Sequence, residues 1–242
     1  MKKTWIVAAT VLSMAVLASC GGKQATETTG KGTEAQAEKQ GESKAEKQGE
    51  DTKSIFRTVE EIKKSGVIRI GVFTDKAPFG YVDEKGENKG YDVVYAKRIA
   101  EDLGVKVEFT SLDPAARVEY VQSGKVDITL ANFTVTKERA EKVDFALPYM
   151  KVALGVVSPE GKEIKSVEEL KGKTLIIAKG TTAETYFEKN YPDIKLQKYD
   201  AYADAYNALL DGRGDAFSTD NTEVIAWAKA NPGYAVGIDS LG

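Results

Sequence analysis

Between residues 58 and 134 apolar runs of strand length alternate with stretches of helical period, and the links between them are short. That alternation leaves few folds open, because strand, helix, strand in succession packs as a parallel sheet covered by helices. Thr58 and Glu61 have capping-box spacing and Gly66 closes a short helix before VIRIGVF, which reads as a buried strand. A loop carrying Asp75, Pro78, Phe79 and Tyr81 follows. The spacing then predicts a helix over GYDVVYAKRIAEDLG, with Val93, Ala96, Ile99, Ala100 and Leu103 on one face. VKVEF is the second strand. Asp113-Pro114 suits the start of a helix that carries Arg117 and ends near Gly124, and VDITL is the third strand. In such sheets ligands bind at the carboxyl ends of the strands, so the TDKAPF loop, the start of the Arg117 helix and ANFT share one edge.

The segment ANFTVTKERA places Thr134, Thr136 and Arg139 around a helix start. Two readings stay open from these ten residues. Thr136 caps the helix and Arg139 faces water, or free backbone N–H groups and the guanidinium fork converge on an anion. After FALPYM the chain crosses KVALGVVS into a second strand-and-helix set, in which Gly180-Thr181-Thr182 links a strand to a helix and Thr219-Asp220 ends the strand DAFST. Two lobes that face each other across a cleft bring an arginine fork and helix N–H groups near Thr134 and Thr182 to one side, and the Asp220 carboxylate to the other. A zwitterionic amino acid fits that set, its carboxylate on Arg139 and its ammonium on Asp220. Phe79, Tyr81, Phe133 and Tyr149 are the candidates to stack on its aliphatic part, although each alone reads first as a core residue, and Asp220 alone reads as a helix cap.

Composition narrows the chemistry. The 242 residues carry a formal net charge of -3 and no histidine, which leaves no basic surface for nucleic acid and removes the commonest general base and metal ligand. No cofactor is expected. The single cysteine, Cys20, allows no internal disulfide. It ends an apolar run behind Lys2 and Lys3, the order of a secretory signal, and Leu-Ala-Ser-Cys resembles a bacterial lipobox, which implies a signal over 1–19 and lipid on Cys20. Residues 21–57 repeat AEKQGE, balance seven basic against seven acidic side chains and lack large apolar residues before Ile55, so 20–57 reads as a disordered tether. The lobes then run over 58–150 and 151–242.

GVIRIGVFTDKAPFGYVDEKGENKGYDV, ANFTVTKERAEKVDFALPYM, KGTTAE and GDAFSTDNT, in that order, resemble the polar amino-acid-binding family 3 of bacterial extracellular solute-binding proteins. The resemblance implies a type II periplasmic-binding-protein fold, two doubly wound α/β lobes hinged over a ligand, and a monomeric receptor that serves ABC permease and ATPase subunits without catalysis. It implies that Arg139 clamps the ligand carboxylate with help from Thr134 and the main chain at Thr181 and Thr182. It also implies that Asp220 holds the ammonium and that Asp75 and Arg117 face the side chain. Within the family, AARVEY and the run from VDITL through VVSP are most similar to cysteine-binding members, with glutamate or aspartate as the rival ligands. A dehydratase-like enzyme and a sensor or adhesin on the same fold are the rival classes. A second crossover, returning from lobe two to lobe one, is expected from the resemblance and is missing from the sequence. The expected place is the cell envelope, on the outer side of a membrane.

Overall fold

The computed structural model describes residues 55–241; the signal expected over 1–19, the lipid site at Cys20 and the tether up to residue 54 lie outside the described residues. Helix α1 (Val59–Ser65) starts on the reciprocal bonds foreseen for Thr58 and Glu61 and stops at Gly66, whose φ of 73° is the left-handed value that glycine adopts without strain. Such a cap is worth about 1 kcal/mol. Strand β1 (Val67–Val72) follows. The TDKAPF loop is a small antiparallel sheet of β2 (Asp75–Lys76), β3 (Gly80–Val82) and β4 (Asn88–Lys89). Helix α2 (Tyr91–Leu103) buries Val93, Ala96 and Ala100, with Ile99 and Leu103 packed beside them, the face read from the sequence.

Strand β5 (Lys106–Ser111) and the short β6 (Ile128–Thr129) flank β1, both parallel to it, so the sheet order is β5-β1-β6. Asp113 does not cap with its side chain as expected. Pro114 opens a 3-10 turn over Pro114–Ala116 instead, and α3 (Arg117–Gln122) begins at Arg117 itself. Helix α4 (Lys137–Ala140) is one turn, capped by the Thr136 hydroxyl, which accepts from the Arg139 N–H at 3.2 Å. The free edge of β6 opens on an apolar groove of about 580 Å³ lined by Ile99, Val121, Ile128, Leu130, Phe145 and Leu147, the last 91% exposed.

The chain crosses at residues 151–153 into strand β7 (Leu154–Pro159). Next come β8 (Thr174–Ala178), α5 (Thr182–Asn190), β9 (Lys195–Tyr199), α6 (Tyr202–Leu210), β10 (Ala216–Asp220), α7 (Asn221–Ala230) and β11 (Tyr234–Leu241). The order is β11-β7-β10-β8-β9, with β8, β9 and β10 parallel and β7 and β11 running against them. Adjacent parallel strands β8 and β10 end on the same edge. That register brings Gly180-Thr181-Thr182 beside Thr219-Asp220.

Phe73, Leu112 and Ala131 of lobe one belong to the same buried cluster as Val157, Ile176, Tyr202, Tyr206 and Phe217 of lobe two. The lobes are therefore joined by core packing as well as by chain. No helix among the described residues is long and apolar enough to cross a membrane.

The described chain is tied to the fold before Thr58. Arg57 bonds the Asp127 carboxylate through Nε at 2.8 Å and through Nη2, while Arg69 meets it with a backbone N–H at 2.7 Å and Nη2 at 2.8 Å. Burial disfavours the Asp127 charge, but those donors outweigh it and hold the carboxyl well below the usual carboxylate range. A depressed folded value means stability that is present above the unfolded value, roughly pH 4, and lost as pH falls through it toward the folded one. Thermal melts should show the midpoint dropping from pH 5 to pH 3, with a shallower drop in Asp127→Asn. Equal slopes in the two proteins would contradict the assignment.

Candidate ligand cleft between the lobes

Three loops of lobe one and two strand ends of lobe two build the junction. Three residues past β6 stands Asn132, whose φ of 44° turns the chain sharply. Asparagine tolerates that left-handed conformation better than most residues, and its N–H is tied to Asp92 Oδ2 at 2.8 Å. The Tyr149 hydroxyl donates to the other oxygen of Asp92 at 2.7 Å. Burial pushes the Asp92 carboxyl up against these two bonds. The turn aims Phe133 at two arginines, whose guanidinium carbons lie 4.5 Å (Arg117) and 4.7 Å (Arg139) from its ring centre.

The two arginines differ in what they have left to give. Arg117 is 3% exposed. Its Nε donates to Pro114 O at 2.8 Å, Nη1 to Ala131 O and Asn132 O at 3.1 Å each, and Nη2 to Gly180 O at 2.9 Å. Of five N–H donors one remains. Burial, and then the neighbouring Arg139 charge, lower its pKa to about 10, so it stays charged at neutral pH. Arg139, half-buried, uses Nη1 on Thr134 O at 2.7 Å and Nη2 on Gly180 O at 2.8 Å. Three of its donors remain. The wet, exposed helical arginine is excluded for both.

Gly180 is the point of contact between lobes. A Cβ there would lie 2.5 Å from Ala115 Cα, and its φ is 73°, so only glycine allows this approach. Thr181 is buried; its hydroxyl accepts from the Glu184 N–H at 3.2 Å and donates to Ala178 O at 2.7 Å, while Glu184 reaches back to the Gly180 N–H at 2.7 Å. Thr182 is the first residue of α5. Its N–H, at a helix start, needs a partner from outside the helix.

Asp220 sits at the helix-cap position of α7 yet makes no side-chain cap bond. It is 6% exposed, and among the described residues its one charged partner is Lys76, at 3.7 Å. Its charge acts on both Arg117 and Arg139, so carboxylate and guanidinium groups share one space. Asp75 lies at the rim, where its carboxylate accepts from the Ala203 N–H at 3.0 Å and caps α6 across the lobe boundary. That contact, rather than a free carboxylate facing the cleft, is what the structure gives Asp75. Phe79 is buried 5.8 Å from the Lys76 ammonium. Tyr81 is half-buried on β3, paired with Asp75. Tyr149 departs from its expected place: it stacks on Tyr91, 5.7 Å between ring centres, and lines the apolar groove, because its hydroxyl is drawn to Asp92.

Sequence reasoning missed Lys76, Tyr202 and Glu223. Lys76 Nζ reaches across to Tyr202 Oη at 2.8 Å and Thr219 Oγ1 at 3.3 Å and is ion-paired with Glu223. Glu223 also accepts from Tyr206 and, at 2.9 Å, from Thr219. Burial opposes the Lys76 charge, but the surrounding carboxylates overcome it and hold the ammonium above its ordinary range. Arg117, Arg139 and Lys76 thus meet Asp220 and Glu223 at the junction, with the buried Asp92 carboxylate close enough to feel the charges of Lys76 and Arg117. Among the described residues no group of carboxylates or thiols is placed to hold a metal ion.

The model of bacterial extracellular solute-binding proteins, family 3, matches residues 68–231, which spans both lobes and every residue of the cleft. The chain belongs to this family. As a family 3 protein it is 30% identical over 239 residues to a glutamine-binding protein of Geobacillus stearothermophilus, covering 97% of this chain and 87% of the relative. A solute receptor for L-cysteine of Neisseria gonorrhoeae has a solved structure that is 58% identical with a TM-score of 0.75, over 77% of each chain. The cysteine-binding protein of Campylobacter jejuni is also 58% identical with a TM-score of 0.75, over 76% of this chain and 75% of that one. The fold is therefore the type II periplasmic-binding-protein fold. Family 3 relatives are solute receptors, which removes the enzymatic reading.

Proposed function

We propose that this receptor takes a free amino acid at the lobe junction, L-cysteine in the first place, and delivers it to the permease of an ABC importer from a lipid anchor on Cys20. One observation carries the reading. The cleft holds an arginine with three unspent donors and a carboxylate without a hydrogen bond among the described residues, close enough for their charges to act on one another. A carboxylate and an ammonium on one small molecule satisfy both at once. In this reading Arg139 forks onto the α-carboxylate, the Thr134 segment and the Thr181–Thr182 main chain complete that side, and Asp220 takes the α-ammonium. Phe133, held against both guanidinium groups, walls the ligand together with Phe79.

Cysteine is favoured over other side chains because two cysteine-binding proteins reach 58% identity, against 30% for the glutamine-binding relative. Glutamate is the rival, since Arg117 keeps one unspent donor beside Arg139 that a side-chain carboxylate could take. A thermal-shift panel of the common amino acids separates them. Saturating cysteine should raise the melting temperature more than glutamate does, because a ligand that binds only the folded form stabilises it by mass action. No shift with any amino acid would sink the reading. Labelled palmitate incorporated by the wild-type chain and absent from Cys20→Ala tests the anchor.

A further inference from the structure

Lys76 is the least expected side chain of the cleft: a lysine from a two-residue strand of lobe one, 1% exposed, with its ammonium inside lobe two. Its three N–H donors meet three acceptors, Tyr202 Oη, Thr219 Oγ1 and Glu223, and Asp220 lies 3.7 Å away. The same ammonium stands 3.9 Å from the centre of the Tyr202 ring. Glu223 in turn is filled, by Tyr206, Thr219 and Lys76. The alternation along β2 decides this placement, turning Asp75 to the rim and Lys76 inward.

From this geometry, and resting on the reading of the junction as an amino-acid site, we infer that Lys76 sets the ligand class: it fills the cleft's acidic subsite with the protein's own ammonium, so that amino acids with neutral or acidic side chains are admitted and those with cationic side chains are refused. Specificity here is a repulsive device. With Asp220 taken by the ligand's α-ammonium and Glu223 by Lys76, a basic side chain entering there would bring a further cation into a desolvated space and find no free carboxylate. Without Lys76, Glu223 and Asp220 would form a pair of buried carboxylates in need of a cation, and a basic ligand could supply one.

A bridge that merely holds the lobes together would act on all ligands alike, and that difference makes the test. Cysteine, ornithine and lysine are titrated calorimetrically into wild-type protein, Lys76→Met, Lys76→Gln and Lys76→Arg, each checked for a cooperative melt. Wild type and Lys76→Arg should prefer cysteine. In Lys76→Met the affinity ratio of ornithine or lysine to cysteine should rise by at least about tenfold, the least expected when a desolvated like-charge contact is removed. Lys76→Gln, which keeps a donor for Glu223 without the charge, should do the same and carries the test if the methionine variant fails to fold. Wild-type binding of cysteine with an unchanged ratio in both neutral variants would overturn the inference alone. Wild-type protein that bound no amino acid would overturn the reading of the site, and this inference with it.

Discussion

Arg139→Ala is expected to lose amino-acid binding by about a hundredfold to a thousandfold in Kd, with the fold retained. The guanidinium offers three donors beyond those it spends on Thr134 O and Gly180 O. A carboxylate held by two charge-assisted bonds gains roughly 3–4 kcal/mol from them, which converts to that loss of affinity. Arg139→Lys should recover little, because a single ammonium cannot present the planar fork. The bonds Arg139 makes within the protein go to two carbonyls at a half-buried site, so its removal should lower stability by only about 1–2 kcal/mol. Calorimetric titration with cysteine reads the binding and a melt reads the stability; normal affinity in Arg139→Ala would mean that the carboxylate is held elsewhere.

Arg117→Ala should behave in the opposite way, as a stability mutation that weakens every ligand. From the resemblance Arg117 was expected to face the ligand side chain, and a change of preference would follow. The structure instead spends four of its five donors on the carbonyls of Pro114, Ala131, Asn132 and Gly180. Those carbonyls belong to three separate segments, and the guanidinium that joins them is 3% exposed. Leaving them unpaired costs about 3–5 kcal/mol, or roughly 10 °C in melting temperature for a chain of this size. Affinity should fall for cysteine and glutamate by similar factors, since the loop that aims Phe133 is loosened. A variant that melts normally but reverses the preference between cysteine and glutamate would restore the side-chain role.

What could be seen in the sequence was local. Thr58 caps its helix as its spacing with Glu61 foretold, and Thr136 caps α4 as one of its two readings had it, because a cap is decided within four positions. The α2 face follows from its period, and β1, β5 and β6 from apolar runs of strand length. Arg139 and Asp220 were visible because strand ends in an α/β lobe fix where a loop must lie. Direction was not visible: nothing in the apolar run of β7 or β11 states that it opposes β8, β9 and β10.

Long-range pairing hid the rest. A lysine in a polar loop and a glutamate in the first turn of a helix each have an adequate local reading, as a solvated side chain and as a partner of the helix dipole. Lys76 and Glu223 become a buried pair only because residues 147 positions apart are brought together when the lobes meet. Tyr149 was misplaced for a similar reason, since Asp92, its partner 57 positions earlier, looks like an ordinary first-turn acid of α2.

The central claim is that the cleft reads both ends of a free amino acid, the carboxylate through Arg139 and the ammonium through Asp220. Calorimetric titration of the full chain with L-cysteine, its methyl ester and its N-acetyl derivative tests this most directly. Binding of L-cysteine with both blocked forms weakened by at least about a hundredfold is the predicted result, since each block leaves one buried charged group unpaired. Equal binding of either blocked form would contradict the account.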